Sequence, residues 1–501
     1  MSVIWPILRH ALRHPWRIAA IDDRRKYTNA QIAGGALFIA EHLDAQTDNP
    51  HVGILLPTSG AFAMTLLGAW LARRVAVPLN YLLKPDELRC VIEDSGIDTI
   101  VSTAQMIDFV TDGASPIPEH VRVLPIEDCD FEGVPPLRWP PLPRRDDLAV
   151  ILYTSGTSGK PKGVMLTHGN FRSNVDAAIE HARITRADTF LGVLPQFHSF
   201  GLTVLTLIPL CVGAKVVYSA RFVPKQIVAM IREHRPDIVV AIPSMWGALL
   251  SVKDAQSSDF QSIRMAISGG EPLPEATFEA FEQRLDLRLL EGYGLTETAP
   301  ATSWCTHSRF RRHSVGPALP GVDVRIVDEH DRPIGADREG EIVIAGPNIM
   351  KGYYHMPQET ARVFVDLAMP TGNSADAHRR YFRTGDIGRI DADGFIYITG
   401  RKKEMLIVGG ENVFPREIEE VLNQHESVVA SAVIGKIDGV RGEVPIAFVE
   451  LGEGLDFDDK ALRAWCRDRL AGYKVPRKIR HIEKLPRNPT GKIMRRELQV
   501  E

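Results

Sequence analysis

An α/β fold is predicted by three features of the 501-residue sequence. Apolar runs of strand length alternate with amphipathic helical patterns through roughly the first 300 residues. Glycine-rich stops fall at the ends of those runs. Beyond them the pattern shortens to alternating strands punctuated by turn signals.

The elements follow in order. Two stretches without charge, His51–Ala72 and Thr189–Ala214, are broken by Pro57, Gly60, Pro195, Gly201, Pro209 and Gly213. A spanning helix needs about 20 mostly apolar residues, so both are read as core elements. Val134–Asp147 is a Pro-rich, extended connector. A helix over Val223–Glu233 precedes the strand Asp237–Pro243, and a second helix is expected over Ser244–Val252. The strand Arg264–Ser268, the helix Pro274–Arg284 and the strand Leu287–Gly294 continue the alternation. Such βα repeats build a largely parallel, doubly wound sheet with ligands past the C-terminal strand ends. Ser268-Gly269-Gly270 and Gly292-Tyr293-Gly294 stand at such ends. Short strands in Val322–Gly335, Glu341–Gly346 and Ile387–Gly400, with a turn at Asp393-Gly394, form a β-rich subdomain. From about residue 402 a small α+β domain follows, with Pro415 in the first turn of a helix.

Composition excludes several classes. Hydrophobic residues make up 44% and charged residues 24%, which rules out collagen-like, mucin-like and wholly disordered chains. Fifty-nine basic against 63 acidic residues leave a net charge of −4, no sign of a nucleic-acid binder. Five scattered cysteines without a C-x-x-C pair argue against structural zinc and disulfides, and for a reducing cytoplasm. The N-terminus lacks the apolar core and cleavage site of a signal peptide. No transmembrane segment is expected; peripheral membrane association stays open.

The strongest chemical signal is LAVILYTSGTSGKPKGVMLTH, Leu148–His168. A buried strand runs into a loop of Thr, Ser and Gly, followed by Lys160 and Lys162. Glycines let backbone amides converge on an anion, hydroxyls add donors and the lysines supply charge. Walker A spacing is absent, and Pro161 precludes the helix that motif requires.

This string resembles the phosphate loop of the adenylate-forming (AMP-dependent synthetase and ligase) superfamily. Collinear matches span most of the chain: Gly68–Leu88, LPQFHSFGL (Leu194–Leu202), SGGEPLP (Ser268–Pro274), EGYGLTET (Glu291–Thr298), YFRTGDIG (Tyr381–Gly388), Gly400–Glu420 and PRNPTGKIMRREL (Pro486–Leu498). The resemblance, on its acyl-CoA synthetase branch, implies an N-terminal adenylation domain over 1–400, a hinge at 401–403 and a mobile C-terminal domain over 404–501. It implies an enzyme that uses ATP, Mg²⁺ and CoA to convert a carboxylic acid, with a fatty acid favoured, to acyl-AMP and then a thioester.

Roles carry over residue by residue. The resemblance implies a phosphate loop of Thr154, Ser155, Gly156, Thr157, Ser158, Gly159 and Lys160. It puts Gly269, Gly270, Glu271, Glu291, Gly292 and Tyr293 around the nucleotide, with Tyr293 offering its ring to adenine. Thr296 would donate to the α-phosphate, and Glu297 is a hard oxygen ligand for Mg²⁺. Asp386 would accept from the ribose hydroxyls, with Arg401 beside it. His198, Trp246 and Gly294 are expected at the acyl pocket, and Gly409 and Gly410 along the CoA path. Lys403 would be the hinge, and Asn412 a substrate contact.

Lys492 would be the catalytic lysine, in a tail where nine basic residues face one acid between Lys474 and Arg496. It would also be a target for a lysine acetyltransferase and deacetylase. Alternatives are an acyl-AMP ligase serving an acyl-carrier protein, an aryl-CoA ligase and a catalytically dead nucleotide sensor. The chain is expected as a monomer or homodimer that binds no nucleic acid.

Overall fold

The computed structural model describes the chain except residues 1, 112–114, 136–141, 155–160, 369–377, 439–441, 453, 488–492 and 500–501. Ser155–Lys160, Lys492 and part of the Pro-rich connector lie outside the described residues.

Two large sheets form the body. The seven-stranded sheet runs Gly352–Tyr353, Lys162–Thr167, Leu148–Thr154, Val75–Pro78, His51–Leu55, Thr99–Ser102, Arg122–Pro125. It is parallel from Leu148–Thr154 to Arg122–Pro125. The eight-stranded sheet runs Ala301–Trp304, Leu289–Gly294, Met265–Gly269, Ile238–Ala241, Thr189–Gly192, Lys215–Tyr218, Ile18–Ile21, Lys26–Thr28. Its six inner strands are parallel and its two edges antiparallel. Helix coverage explains the buried β-branched runs: all four residues of Ile238–Ala241 are buried, as a parallel strand covered on both faces requires.

The two uncharged stretches are core. His51–Leu55 leads into the helix Gly60–Leu71, which Ser59 caps and whose residues are all buried but Ala61. Trp70 Nε1 donates to the Ala149 carbonyl at 2.8 Å, tying that helix to the strand Leu148–Thr154. Thr189–Gly192 leads into helical turns over Ser199–Val212. Gly201 packs so closely there that a Cβ would collide with the Pro195 carbonyl. Among the described residues no helix is long and apolar enough to cross a membrane.

A five-stranded antiparallel sheet comprises Asp323–Val327, Gly340–Ala345, His378–Ile390, Phe364–Ala368 and Ile396–Arg401. The last sheet comprises Glu411–Val413, Leu406–Val408, Gly442–Leu451, Val428–Asp438 and Lys478–His481, with the helices Pro415–Asn423 and Asp459–Arg467. A polar cluster holds this part together. The Arg495 guanidinium meets Glu419 at 2.7 Å and Glu404 at 3.1 Å, while Glu419 also accepts from the Val433 amide at 2.7 Å.

One expectation is corrected. Trp246, placed by resemblance at the acyl pocket, has no exposed surface and lies in the core under the eight-stranded sheet. Its ring meets Phe281 edge-on at 5.3 Å, and its Nε1 donates to the Ile267 carbonyl at 3.2 Å. An indole satisfied on every side serves packing. Trp246→Ala is therefore expected to cost about 3–5 kcal/mol. Thermal unfolding will read that loss, and the acid preference of the folded variant should match the wild type.

Candidate active site

The site begins where the eight-stranded sheet meets the antiparallel five-stranded sheet. Tyr293 ends the strand Leu289–Gly294, Asp386 lies in the long strand His378–Ile390, and Arg401 pairs with Asp386 in register across the sheet. Asp386 is only 2% exposed. Its Oδ2 accepts from the Tyr293 hydroxyl at 2.6 Å, and its Oδ1 lies 3.0 Å from Arg401 Nε. Its amide donates to Thr384 Oγ1 at 3.0 Å. Burial and then the Asp386 charge hold the Tyr293 phenol well above its usual range, so the hydroxyl stays a donor. Burial would lower the Arg401 pKa, but Asp386, Glu404 and Glu297 raise it on balance. Tyr293 also packs its ring against the core of the antiparallel sheet.

Past Gly294 the chain makes a tight turn, Thr296–Thr298. Glu297 Oε1 accepts from the Tyr353 hydroxyl at 2.8 Å, and burial and the Glu297 charge both push that phenol upward. Thr296 Oγ1 lies 3.2 Å from Ser199 Oγ. Buried asparagines hold the turn from behind: Asn174 Nδ2 donates to the Ala301 carbonyl at 2.6 Å, and Asn348 Nδ2 to the Thr298 carbonyl at 2.9 Å. Sequence reading missed Tyr353, Asn174 and Asn348. The available signal was Asn170 and Asn174 one turn apart on the helix His168–Ala182, both buried.

The remaining expected residues divide. His198 is exposed and caps the short helix Ser199–Leu202, its Nδ1 accepting from the Phe200 amide at 3.4 Å. A Cβ on Gly269 would lie 3.1 Å from the Gly292 carbonyl and 3.3 Å from the Phe200 ring, and one on Gly294 would collide with the Pro300 carbonyl. Gly270 takes φ +85°, a left-handed conformation that favours glycine. Thr154 ends its strand with Oγ1 3.5 Å from the Lys162 carbonyl. Lys162 Nζ pairs with Glu359 at 3.2 Å, above the Tyr353 ring. Lys402 Nζ pairs with Glu341 at 3.0 Å, and Lys403 follows exposed. Gly409 and Gly410, at φ +62° and +88°, make the two-residue turn between Leu406–Val408 and Glu411–Val413, which requires positive φ at both positions.

These residues suit a nucleotide and its metal. A buried, acceptor-only carboxylate held by two donors matches vicinal hydroxyls. Among the described residues no cluster of three or more His, Cys, Asp or Glu could hold a metal. The single carboxylate of Glu297, held by the Tyr353 hydroxyl, suits Mg²⁺, which is bound by one or two carboxylates together with substrate phosphates.

Glu291 supplies a pH handle. Burial pushes its carboxyl up from 4.5 to about 7; Arg416 opposes this and Glu420 adds to it. Between those values the native state holds a proton that the unfolded state has lost, so stability falls as pH rises from about 4.5 to 7. Glu291→Gln should remove that decline, worth up to about 3 kcal/mol. Denaturant melts at pH 5 and pH 7.5 will show it as a smaller pH difference in the variant than in the wild type.

Comparison with known proteins meets this geometry. Residues 7–354 match the AMP-binding enzyme family, and residues 417–492 match the AMP-binding enzyme C-terminal domain. A feruloyl-CoA synthase of Amycolatopsis sp is 32% identical over 500 residues, covering 99% of this chain and 98% of that protein. A long-chain-fatty-acid–CoA ligase of Bacillus subtilis is 32% identical over 536 residues, covering 98% and 93%. The structure of O-succinylbenzoate coenzyme A synthetase from Bacillus subtilis with ATP and magnesium superposes with a TM-score of 0.86 at 27% identity, covering 98% of each chain. The chain belongs to the AMP-binding enzyme family: it is an adenylate-forming acid–thiol ligase that uses ATP, Mg²⁺ and CoA.

Proposed function

We propose that the acid is a fatty acid, and that adenylation and thioester formation use the residues above. Support for the nucleotide half comes chiefly from the Asp386 carboxylate held by Tyr293 and Arg401 at the strand ends, and for the acid from the similarity to the long-chain-fatty-acid–CoA ligase of Bacillus subtilis. The ribose hydroxyls donate to Asp386, the phosphates lie along Thr154–Lys160, and Glu297 supplies the protein oxygen for Mg²⁺. Gly269, Gly270, Glu271, Glu291 and Gly292 surround the base. Thr296 donates to the α-phosphate, and His198 and Gly294 border the acid.

A carboxylate oxygen of the acid attacks the α-phosphorus, the bond to the β,γ-diphosphate breaks and pyrophosphate leaves. The nucleophile is the substrate itself, so the protein supplies positioning and charge stabilisation. Lys492 adds a compact positive charge on a long stem, carried in by the segment 404–501. That segment then pivots at Lys403, and the CoA thiol passes Gly409-Gly410 to attack the acyl carbonyl and expel AMP. Acetylation of Lys492 would remove its charge and switch the first step off.

The similarity to the feruloyl-CoA synthase favours a second reading, an aromatic acid. Pyrophosphate release over a panel of aliphatic and aromatic acids separates the two. Preference for medium or long aliphatic acids is expected; turnover confined to aromatic acids rejects the first reading. Supplying CoA or a phosphopantetheinylated carrier protein identifies the acceptor.

Asp386→Ala should raise the ATP KM, while Glu297→Gln should raise the Mg²⁺ concentration needed for half-maximal rate. Wild-type titrations of ATP and Mg²⁺ in both variants would reject the assignment. Lys492→Ala should slow acyl-AMP formation about 10²–10³-fold, the usual cost of one donor to developing charge. Thioester formation from supplied acyl-AMP and CoA should stay near the wild-type rate, and equal loss in both half-reactions would overturn the pivot.

A further inference from the structure

The first helix, Ile4–Arg13, buries Ile4, Pro6 and Ile7. Its outward residues are Trp5, Arg9, Leu12 and Arg13, at helical spacings i, i+4, i+7 and i+8, so they share one face. Leu12 is 68% exposed and Trp5 37%. Trp16, just beyond the helix, is 81% exposed, more than any other aromatic among the described residues, and Arg17 beside it is exposed too. Burying an indole stabilises a fold, so leaving one in water calls for a reason.

The charge carried by the segment itself has one sign. No acid occurs before Asp22. Arg17 donates to the Arg186 carbonyl, and Arg186 Nη1 lies 3.2 Å from His14 Nε2. His10 is held below its ordinary value by burial first and next by the Arg9 charge. The helix His168–Ala182 carries the acids Asp176 and Glu180, the first paired with Arg172 at 2.6 Å, and the packed helix Asn29–Gln46 carries Glu41 and Asp44, the latter 3.6 Å from Arg74.

We propose that this face docks in the plane of an anionic phospholipid surface. Indole rings favour the bilayer interface, where one part of the ring meets chains and the other meets water. Arginines next to them meet lipid phosphates, and each basic group near an anionic leaflet adds to the attraction. A helix that lies on the surface needs no spanning length. A nucleic-acid backbone would engage the arginines but leave Leu12 and Trp16 in water, so lipid is the better match. None of these residues belongs to the adenylation site, so the proposal stands apart from the choice of acid.

Vesicle flotation of the full chain tests it, with phosphatidylcholine vesicles against vesicles also containing phosphatidylglycerol. Binding to the anionic vesicles alone is expected at about 50 mM salt, falling steeply by about 500 mM. Leu12→Gln with Trp16→Gln, and separately Arg9→Gln with Arg13→Gln, should each weaken binding about tenfold or more. Both pairs are solvent-exposed, and acid-dependent pyrophosphate release with a soluble acid should stay at the wild-type rate. Absence of flotation at low salt, equal binding to neutral vesicles, or an unchanged Leu12/Trp16 pair overturns the proposal. So does binding to duplex DNA that only the arginine pair abolishes, which would mark a nucleic-acid surface. A concentration-dependent dimer lost in either pair, without flotation, would mark a contact between two copies.

Discussion

A carboxylate taken out of water must be met by donors, and Asp386 sets that constraint for the whole site. Its two oxygens are met by a phenol from the eight-stranded sheet and a guanidinium from the end of the antiparallel sheet. Removing the Tyr293 hydroxyl leaves a buried carboxylate short of a donor, whereas removing Arg401, 43% exposed, leaves water to take its place. The requirement therefore ties the strand Leu289–Gly294 to the antiparallel sheet. Arg401 is also the last residue of the strand Ile396–Arg401.

The turn carrying Thr296 and Glu297 shows the same economy from behind. Neutral amides, Asn174 and Asn348, hold its carbonyls, and Tyr353 holds the Glu297 carboxylate. An amide of fixed orientation holds backbone without adding charge, so the local field is left to Glu297 and Arg401. A preorganised loop of this kind spends little on reorganisation when charge develops beside it.

Much of the fold was legible in local patterns. The helix expected over Val223–Glu233 is Pro224–His234, and the strand expected over Asp237–Pro243 is Ile238–Ala241, because periodicity and bounding prolines are local signals. That the parallel strands divide into two sheets was not legible, since pairing such as His51–Leu55 with Thr99–Ser102 joins residues far apart in sequence. Trp246 was misread because an apolar residue on a helix that follows a strand looks the same whether it lines a pocket or fills a core. Tyr293 was read for its ring, but its hydroxyl binds Asp386, a contact across 93 positions that no spacing rule carries. Glu297 was read alone, and its partner Tyr353 came from a segment without a recognisable motif.

The residues on either side of Lys403 are moored to different bodies. Lys402 is tied to Glu341 in the antiparallel sheet, and Glu404 to Arg495 in the C-terminal segment. In the proposed pivot, a swing between those bodies would be concentrated around Lys403 and would break the bonds from the Glu404 and Met405 amides to the Arg401 carbonyl. Torsions occupy a few discrete basins, so such a joint works like a latch with set positions and not like a flexible tether. The timing of the two half-reactions would then depend on how often that latch turns over, a property of backbone rotation that no improvement of the nucleotide site can hasten.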